Sequence, residues 1–276
     1  MENQQPNTTT DDYVYDNGFH PHKVVLKDNY KFYHTSIPFT ILKFTIIILT
    51  RIALFFPKVF VWNFKIKGKK NKKHAKNVVY IGNHVHPMDS LLYPTSIFKP
   101  NLFITTLQSN LGFPIVSQYF RLGGCVPLPD STSQLIRFSK ATVENLKKGK
   151  SLLIYPEASL HPYLDHIRPF KSGAFNFALK ANSTIIPTVL TFHKPKGIFK
   201  LIRGDKPCMR YSFLEPYHIV PQENRRLTVL KIENDLFNII NDYYIKHSDY
   251  YYDSEGNKIR ETYVKKPKVK KEKNKK

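Results

Sequence analysis

Hydrophobic positions along the chain fall into short blocks whose spacing switches between the two periods of regular structure. NVVYIGN (77–83), LFITTLQ (102–108), SLLIYPE (151–157) and STIIPTVLTF (183–192) are compact apolar runs of strand length. VFVWNFKIKG (59–68) alternates apolar and polar residues as a strand does, and CMRYSFLEPYHI (208–219) reads as a later strand with its turn. Helical blocks lie between them. FPIVSQYFRLG (113–123) is a short helix, KSGAFNFALKA (171–181) another, and ENRRLTVLKIENDLFNIINDYY (223–244) a long amphipathic one. STSQLIRFSKATVENLKKG (131–149) is the best marked: Ser131 or Ser133 can cap it, Gly149 stops it, and Leu135, Phe138, Thr142 and Leu146 share a face. Strand and helix alternate, which predicts an α/β fold: a single domain with a mixed, largely parallel sheet flanked by helices.

The most hydrophobic stretch, IPFTILKFTIIILTRIALFFP (37–57), stands before this domain. On an insertion scale its apolar residues contribute about −0.5 kcal/mol each, and central Lys43 and Arg51 about +3 each, so the sum lies near zero. The sum supports no firm membrane-spanning assignment, and a tilted span or a buried core helix stays as the alternative reading. On a helix turning about 100° per residue, Thr40, Lys43, Thr50 and Arg51 gather into one stripe and leave a wide apolar face. That pattern predicts a helix lying in the interface of a membrane, its basic heads reaching lipid phosphates. The expected organisation is a polar, flexible arm over 1–30 without a signal-peptide core, and a membrane-associating helical segment over 31–59. The α/β domain would then cover 60–247 and a basic disordered tail 248–276.

Composition sharpens this picture in one respect. The chain has 43 Lys and Arg against 21 Asp and Glu, a formal charge of +22. Such a field attracts polyanions, either nucleic acid or an anionic lipid surface. No zinc-ligand spacing, RNP-like strand or P-loop is present, so nucleic acid is not the expected partner, although a basic nucleic-acid-binding protein remains the reading from another class. Lysines concentrate at 65–76 and 265–276, as docking on anionic lipid requires. Two cysteines, Cys125 and Cys208, form no CxxC pair, and their number fits a reducing, cytosol-facing location.

Candidate chemistry is concentrated in NHVHPMDS (83–90). His84 follows the apolar strand VVYIG, and Pro87 suits the first position of a helix, which places Asp89 in its first turn. Asp89 would hold the imidazole in one tautomer and stabilise its protonated form, leaving the other nitrogen to take a proton. Imidazole ordinarily titrates near about 6.5, which suits a general base. The spacing H-x-H-x-x-D-S departs from the dinuclear metal pattern H-x-H-x-D-H, so no metal is expected and His86 is read as a loop residue. A second block, YPEASLHPYLDHIRPFKSGAF (155–175), follows the strand SLLI and carries Glu157, Ser159, Arg168 and Lys171 on a loop where α/β proteins build sites. His161 and His166 in the same loop are read as solvated or structural.

In order, Asn83-His84…Asp89, Gly124-Cys125-Val126-Pro127-Leu128, Tyr155-Pro156-Glu157…Phe170-Lys171-Ser172-Gly173-Ala174-Phe175 and Ile185-Ile186-Pro187 resemble the motif set of the glycerolipid acyltransferases, whose best-known members are the 1-acylglycerol-3-phosphate acyltransferases. LEPYHI resembles the family's late G-E-P-I segment. The resemblance spans about 83–187. It implies His84 as general base and Asp89 as its orienting partner. Glu157, Ser159, Arg168, Lys171 and Gly124 would be substrate-binding positions. It also implies transfer of a fatty acyl chain from an acyl-CoA or acyl carrier protein thioester to a lysophospholipid hydroxyl, 1-acylglycerol-3-phosphate giving phosphatidic acid. No cofactor beyond that thioester co-substrate is implied, and no covalent acyl-enzyme. The expected location is the cytoplasmic face of the cell membrane, peripheral or monotopic. The sequence departs from the family where its second block usually ends in arginine, here Pro129-Asp130, and where E-G-T-R is Glu157-Ala158-Ser159-Leu160. Those arginines are the phosphate-gripping type of side chain. Their loss leaves open a different lipid acceptor or an inactive, lipid-binding role. The acyl pocket is expected between the sheet and the apolar face of 37–57.

Overall fold

A computed structural model of the chain describes residues 22–73, 76–113, 116–164, 166–204 and 206–249. The chain is α/β, built on one seven-stranded sheet of order β1-β7-β6-β2-β5-β3-β4. The strands are β1 (Lys65–Lys67), β2 (Val78–Gly82), β3 (Leu102–Leu107), β4 (Cys125–Leu128), β5 (Ser151–Ile154), β6 (Thr184–His193) and β7 (Cys208–Phe213). The helices are α1 (Ile37–Ala53), α2 (Asp89–Ile97), α3 (Val116–Leu122), α4 (Thr132–Lys147), α5 (Gly173–Ala181), α6 (Ile198–Arg203) and α7 (Arg225–His247). All pairings are parallel except β6 with β7. The sheet is thus mixed and mostly parallel, as expected from the strand–helix alternation.

The reason β2 reads as an unbroken apolar run is that both its faces are covered. Val79 and Ile81 join a core with Phe138, Phe175, Leu236 and Ile240 from α4, α5 and α7. Val78 and Tyr80 point the other way, into a core with Leu92, Tyr93 and Ile97 of α2. β2 lies between β5 and β6 and runs parallel to both, so the segments leaving β2 and β5 emerge side by side at one sheet edge.

Three local expectations change. First, 59–68 is not one strand. Pro57–Val61 closes a π-helical turn, with Trp62 N–H donating to Pro57 O, and only Lys65–Lys67 pairs with β7. Val59, Phe60 and Val61 are all exposed at 37–47%, so the alternation there does not correspond to two sheet faces. Second, Ser131 caps α4, accepting from Gln134 N–H, and the buried face is Gln134, Phe138, Thr142 and Leu146, with Leu135 turned out. Third, the part of the expected flexible arm that the structure describes is packed. Leu26 is buried, as are Phe32 and Tyr33 just beyond it, and Gln108 and Gln134 donate to the carbonyls of Val24 and Leu26. Side chains supplied from other elements satisfy this extended backbone, which explains why its own composition did not reveal its burial. The first 21 residues of the arm lie outside the described residues, as does the tail from 250.

The polar stripe of α1 exists, but it faces the protein rather than lipid phosphate. Lys43 is buried, its Nζ donating to Leu102 O and lying 3.7 Å from the centroid of the Phe103 ring. Thr50 Oγ1 is 2.7 Å from Tyr119 Oη, and Arg51 Nη1 donates to Thr95 O. Lys58 bonds Thr95 Oγ1 and Lys72 bonds Ser96 O, so three cations gather at the carbonyl end of α2, where the helix dipole favours them. Ile37, Ile41, Leu49, Ile52, Phe55 and Phe56 are left 60–76% exposed. Among the described residues no helix is long and apolar enough to cross a membrane.

Burial lowers the Lys43 amine from 10.5 to about 7. Between those values the unfolded chain holds a proton that the folded chain lacks, so Lys43 makes stability rise with pH over that window. Urea denaturation at neutral and at alkaline pH checks this: in Lys43→Met the rise is expected to shrink or vanish.

Candidate active site

The site begins with how β2 ends. Gly82 is required by contact: a Cβ there would lie 2.6 Å from Thr188 Oγ1 and from the Tyr93 ring. Asn83 then continues the sheet with its side chain, donating from Nδ2 to Leu190 O and accepting Leu190 N–H at Oδ1. Tyr93 Oη donates to Asn83 O and lies 3.0 Å from Asn83 Oδ1. The backbone entering His84 is thus fixed from two sides.

The turn that follows is organised around one carboxylate. Asp89 is buried, and its Oδ2 accepts the N–H groups of Val85 and His86, each at 2.9 Å. The same oxygen lies 3.2 Å from His84 Nδ1. Asp89 is itself the first residue of α2, so Pro87 stands two residues before the helix instead of opening it. Among the described residues no protein group bonds His84 Nε2, and the His84 side chain retains 20% exposure. The pair expected from the sequence is therefore in hydrogen-bond reach, with one ring nitrogen held and the other open.

The loop after β5 clamps this turn from above. His84 N–H donates to Glu157 Oε2, His161 N–H to His84 O, and Tyr163 N–H to Val85 O. Glu157 Oε1 accepts Arg168 N–H. Burial raises the Glu157 carboxyl above its ordinary range, an effect opposed by the Arg168 guanidinium and the two N–H donors. Arg168 Nη1 donates to Ser159 Oγ, and Nη2 bonds Ser159 O and lies 3.5 Å from Glu157 Oε2. Glu157, Ser159 and Arg168 therefore form one internal brace beside His84. Lys171 joins it only through its backbone N–H, which donates to Pro156 O, and its side chain is exposed. Gly124 stands apart from the brace: it has φ +87, and a Cβ there would collide with the Lys43 stem, so its place in the structure is to let Lys43 pass.

One neighbour of the imidazole received no role from the sequence. The Tyr155 ring stacks on His84 with centroids 4.2 Å apart and planes 13° apart, and its edge meets Tyr93. An aromatic face stacked on an imidazole restricts its rotation. The available signal was an aromatic residue at the very end of a buried strand, adjacent to the strand that carries His84.

His86, two residues on, accepts Met88 N–H at Nδ1 and packs against Trp62 and Tyr163, and burial lowers its basicity. Among the described residues no group of three or more His, Cys, Asp or Glu is placed to hold a metal. Burial pushes the Cys125 thiol up to about 12, far from a nucleophilic thiolate. Beside the turn that carries His84, Ser90, Leu91 and Pro94 of α2 face Ile47 of α1 and Tyr119 and Phe120 of α3 across a narrow recess of about 10 Å³. A wider cavity of about 260 Å³ is lined by Lys65, His193, Lys196 and Arg210 and includes none of the expected site residues.

Residues 63–191 match the family model described as Acyltransferase. A 1-acyl-sn-glycerol-3-phosphate acyltransferase of Borreliella burgdorferi is 28% identical over 141 residues, 48% of this chain and 54% of that protein. One from Limnanthes douglasii is 25% identical over 188 residues, 66% of this chain and 62% of that protein. The chain thus spans between about half and three fifths of the length of these relatives. The crystal structure of the LPA acyltransferase PlsC from Thermotoga maritima superposes with a TM-score of 0.48 at 17% identity, over 71% of this chain and 79% of that one.

Removing the Asp89 carboxylate leaves the N–H groups of Val85 and His86 buried without an acceptor. Asp89→Ala is therefore expected to lose about 2–4 kcal/mol of stability in urea titration.

Proposed function

We propose that the acyltransferase-family domain at residues 63–191 moves a fatty acyl chain from a CoA or acyl carrier protein thioester to a hydroxyl of a lysophospholipid, with 1-acylglycerol-3-phosphate as acceptor and phosphatidic acid as product. The observation that carries this reading is the imidazole of His84, held at Nδ1 by a buried carboxylate and open at Nε2. His84 Nε2 takes the proton of the acceptor hydroxyl as its oxygen attacks the thioester carbonyl. The tetrahedral centre collapses with cleavage of the C–S bond, and the imidazolium returns its proton to the departing thiolate. Asp89 stabilises the imidazolium during that interval, and the Tyr155 face lies parallel to it. The scheme forms no covalent acyl-enzyme and uses no cysteine. Beyond the thioester co-substrate, the reaction as written draws on no cofactor.

Glu157, Ser159 and Arg168 act in this scheme by holding the His84 backbone and the loop above it. Because Arg168 is turned inward and the family's two arginine positions hold other residues, Lys171 is the side chain from the expected set left to meet an acceptor phosphate. The protein works at the cytoplasmic face of the membrane, where the exposed apolar side of α1 lies in the lipid and the charge of +22 draws the domain to anionic headgroups.

In a transfer assay with labelled acyl donor and a panel of lysophospholipid acceptors, His84→Ala is expected to lower the rate about 10²–10⁴-fold while circular dichroism and vesicle binding stay unchanged. Full activity in that variant would sink the assignment, and the acceptor preferred by the parent identifies the headgroup. Ile41→Asp together with Leu49→Asp is expected to abolish flotation with anionic vesicles.

A further inference from the structure

Helix α6 repeats, in a second place, the inverted polarity of α1. It fills the connection between β6 and β7 and is bounded by Gly197 and Gly204, both at φ +56. At about 100° per residue, Ile198, Leu201 and Ile202 fall on one side of this short helix, and Phe199 and Arg203 on the other. The side turned to the protein is the one bearing Phe199, which is half-buried, and Arg203, whose Nη1 donates to Val61 O. The aliphatic side faces outward, with Ile198 66%, Leu201 87% and Ile202 52% exposed. A helix free to choose in water would turn the other way.

The surroundings identify what meets that face. α6 packs on the π-helical turn Pro57–Val61, whose Val59, Phe60 and Val61 are also exposed, and that turn follows directly on Phe55, Phe56 and the outward side of α1. Apolar surface therefore continues from α1 through the turn to α6. Lys196, Lys200 and Lys206 around α6 are exposed, and Asp205 is the single acid between 194 and 207. Aliphatic side chains set among cations match an anionic bilayer surface, where the chains enter the acyl boundary and the amines meet phosphates.

We infer that α6 is a second lipid contact, which fixes how the domain is tilted on the membrane. This rests on the reading that α1 lies in lipid. Contact along α1 alone leaves rotation about its axis unrestrained. β6 runs parallel to β2, so α6 leaves the sheet at the same edge from which β2 delivers His84. Immersing α6 as well as α1 holds that edge, and the open Nε2 of His84, toward the bilayer in which the acceptor sits.

The test uses the full chain carrying Leu201→Asp and Ile202→Asp, substitutions at exposed positions. Flotation with phosphatidylcholine vesicles containing phosphatidylglycerol is expected to weaken about tenfold or more. Transfer to a bilayer-embedded acceptor should fall in step, while transfer to a short-chain monomeric acceptor stays at the parent rate. If the parent floats and the variant floats equally well, the α6 contact is overturned and the α1 reading stands. If the parent does not float, the α1 reading itself has failed. A variant that dissociates a parent oligomer in sedimentation, with vesicle binding unchanged, would make the ridge a contact between copies and equally overturn the inference. Leu201→Trp gives an independent measurement on a protein that keeps its apolar face. Its emission should be quenched by brominated lipid beyond the signal of Trp62 in the parent, and no added quenching would count against α6.

Discussion

A single carboxylate oxygen, Asp89 Oδ2, holds together the turn on which the site depends. It accepts two backbone N–H groups and faces the His84 ring nitrogen, so backbone and imidazole are oriented by the same atom. Buried away from water, that oxygen interacts more strongly with each donor than an exposed one would. The turn is short and would otherwise have several conformations open to it. Asn83 fixes its entrance by side-chain pairing with Leu190, and Glu157 fixes its middle by accepting His84 N–H. Two buried carboxylates thus serve one histidine, one through the ring and one through the backbone.

The second constraint is where the cations of the N-terminal half end. Lys43 reaches a carbonyl of β3, while Arg51, Lys58 and Lys72 converge on the last turn of α2. Each long side chain places its head group against a backbone or hydroxyl oxygen and keeps its stem on apolar surface. With these groups drawn inward, the helix that carries Lys43 and Arg51 presents its aliphatic residues outward. Polar attachment to the domain and apolar exposure to the surroundings are therefore two aspects of one orientation. The same logic applies to α6, where the inward-facing arginine leaves the isoleucines and leucine on the outside.

Some of this could be read from the residues alone. Apolar runs of strand length gave the central strands, Ser131 and Gly149 marked the ends of α4, and the five-residue interval from His84 to Asp89 allowed contact across a turn. Other features were misleading. VFVWNF alternates, yet most of it forms a helical turn, because backbone bonds from Trp62 and Phe64 back to Pro57 and Lys58 outcompete pairing at a sheet edge. The contacts that Arg168 makes with Ser159 and Glu157 inside its own loop had no signal in the spacing. Residues 24–30 read as an arm, yet Gln108 and Gln134, far along the chain, tie this segment to the core.

Periodicity and spacing determined which residues share a strand face, which side of a helix is polar, and which groups lie near one another along the chain. Those properties follow from local backbone geometry, which every segment carries with it. Tertiary structure alone decided which way each patterned face turns. The acceptors for Lys43 and Arg51 lie on β3 and α2, and the ring stacked on His84 comes from the end of β5. An amphipathic pattern is symmetric with respect to inside and outside until such partners are in place, so the sequence specified the stripe and the fold chose its direction.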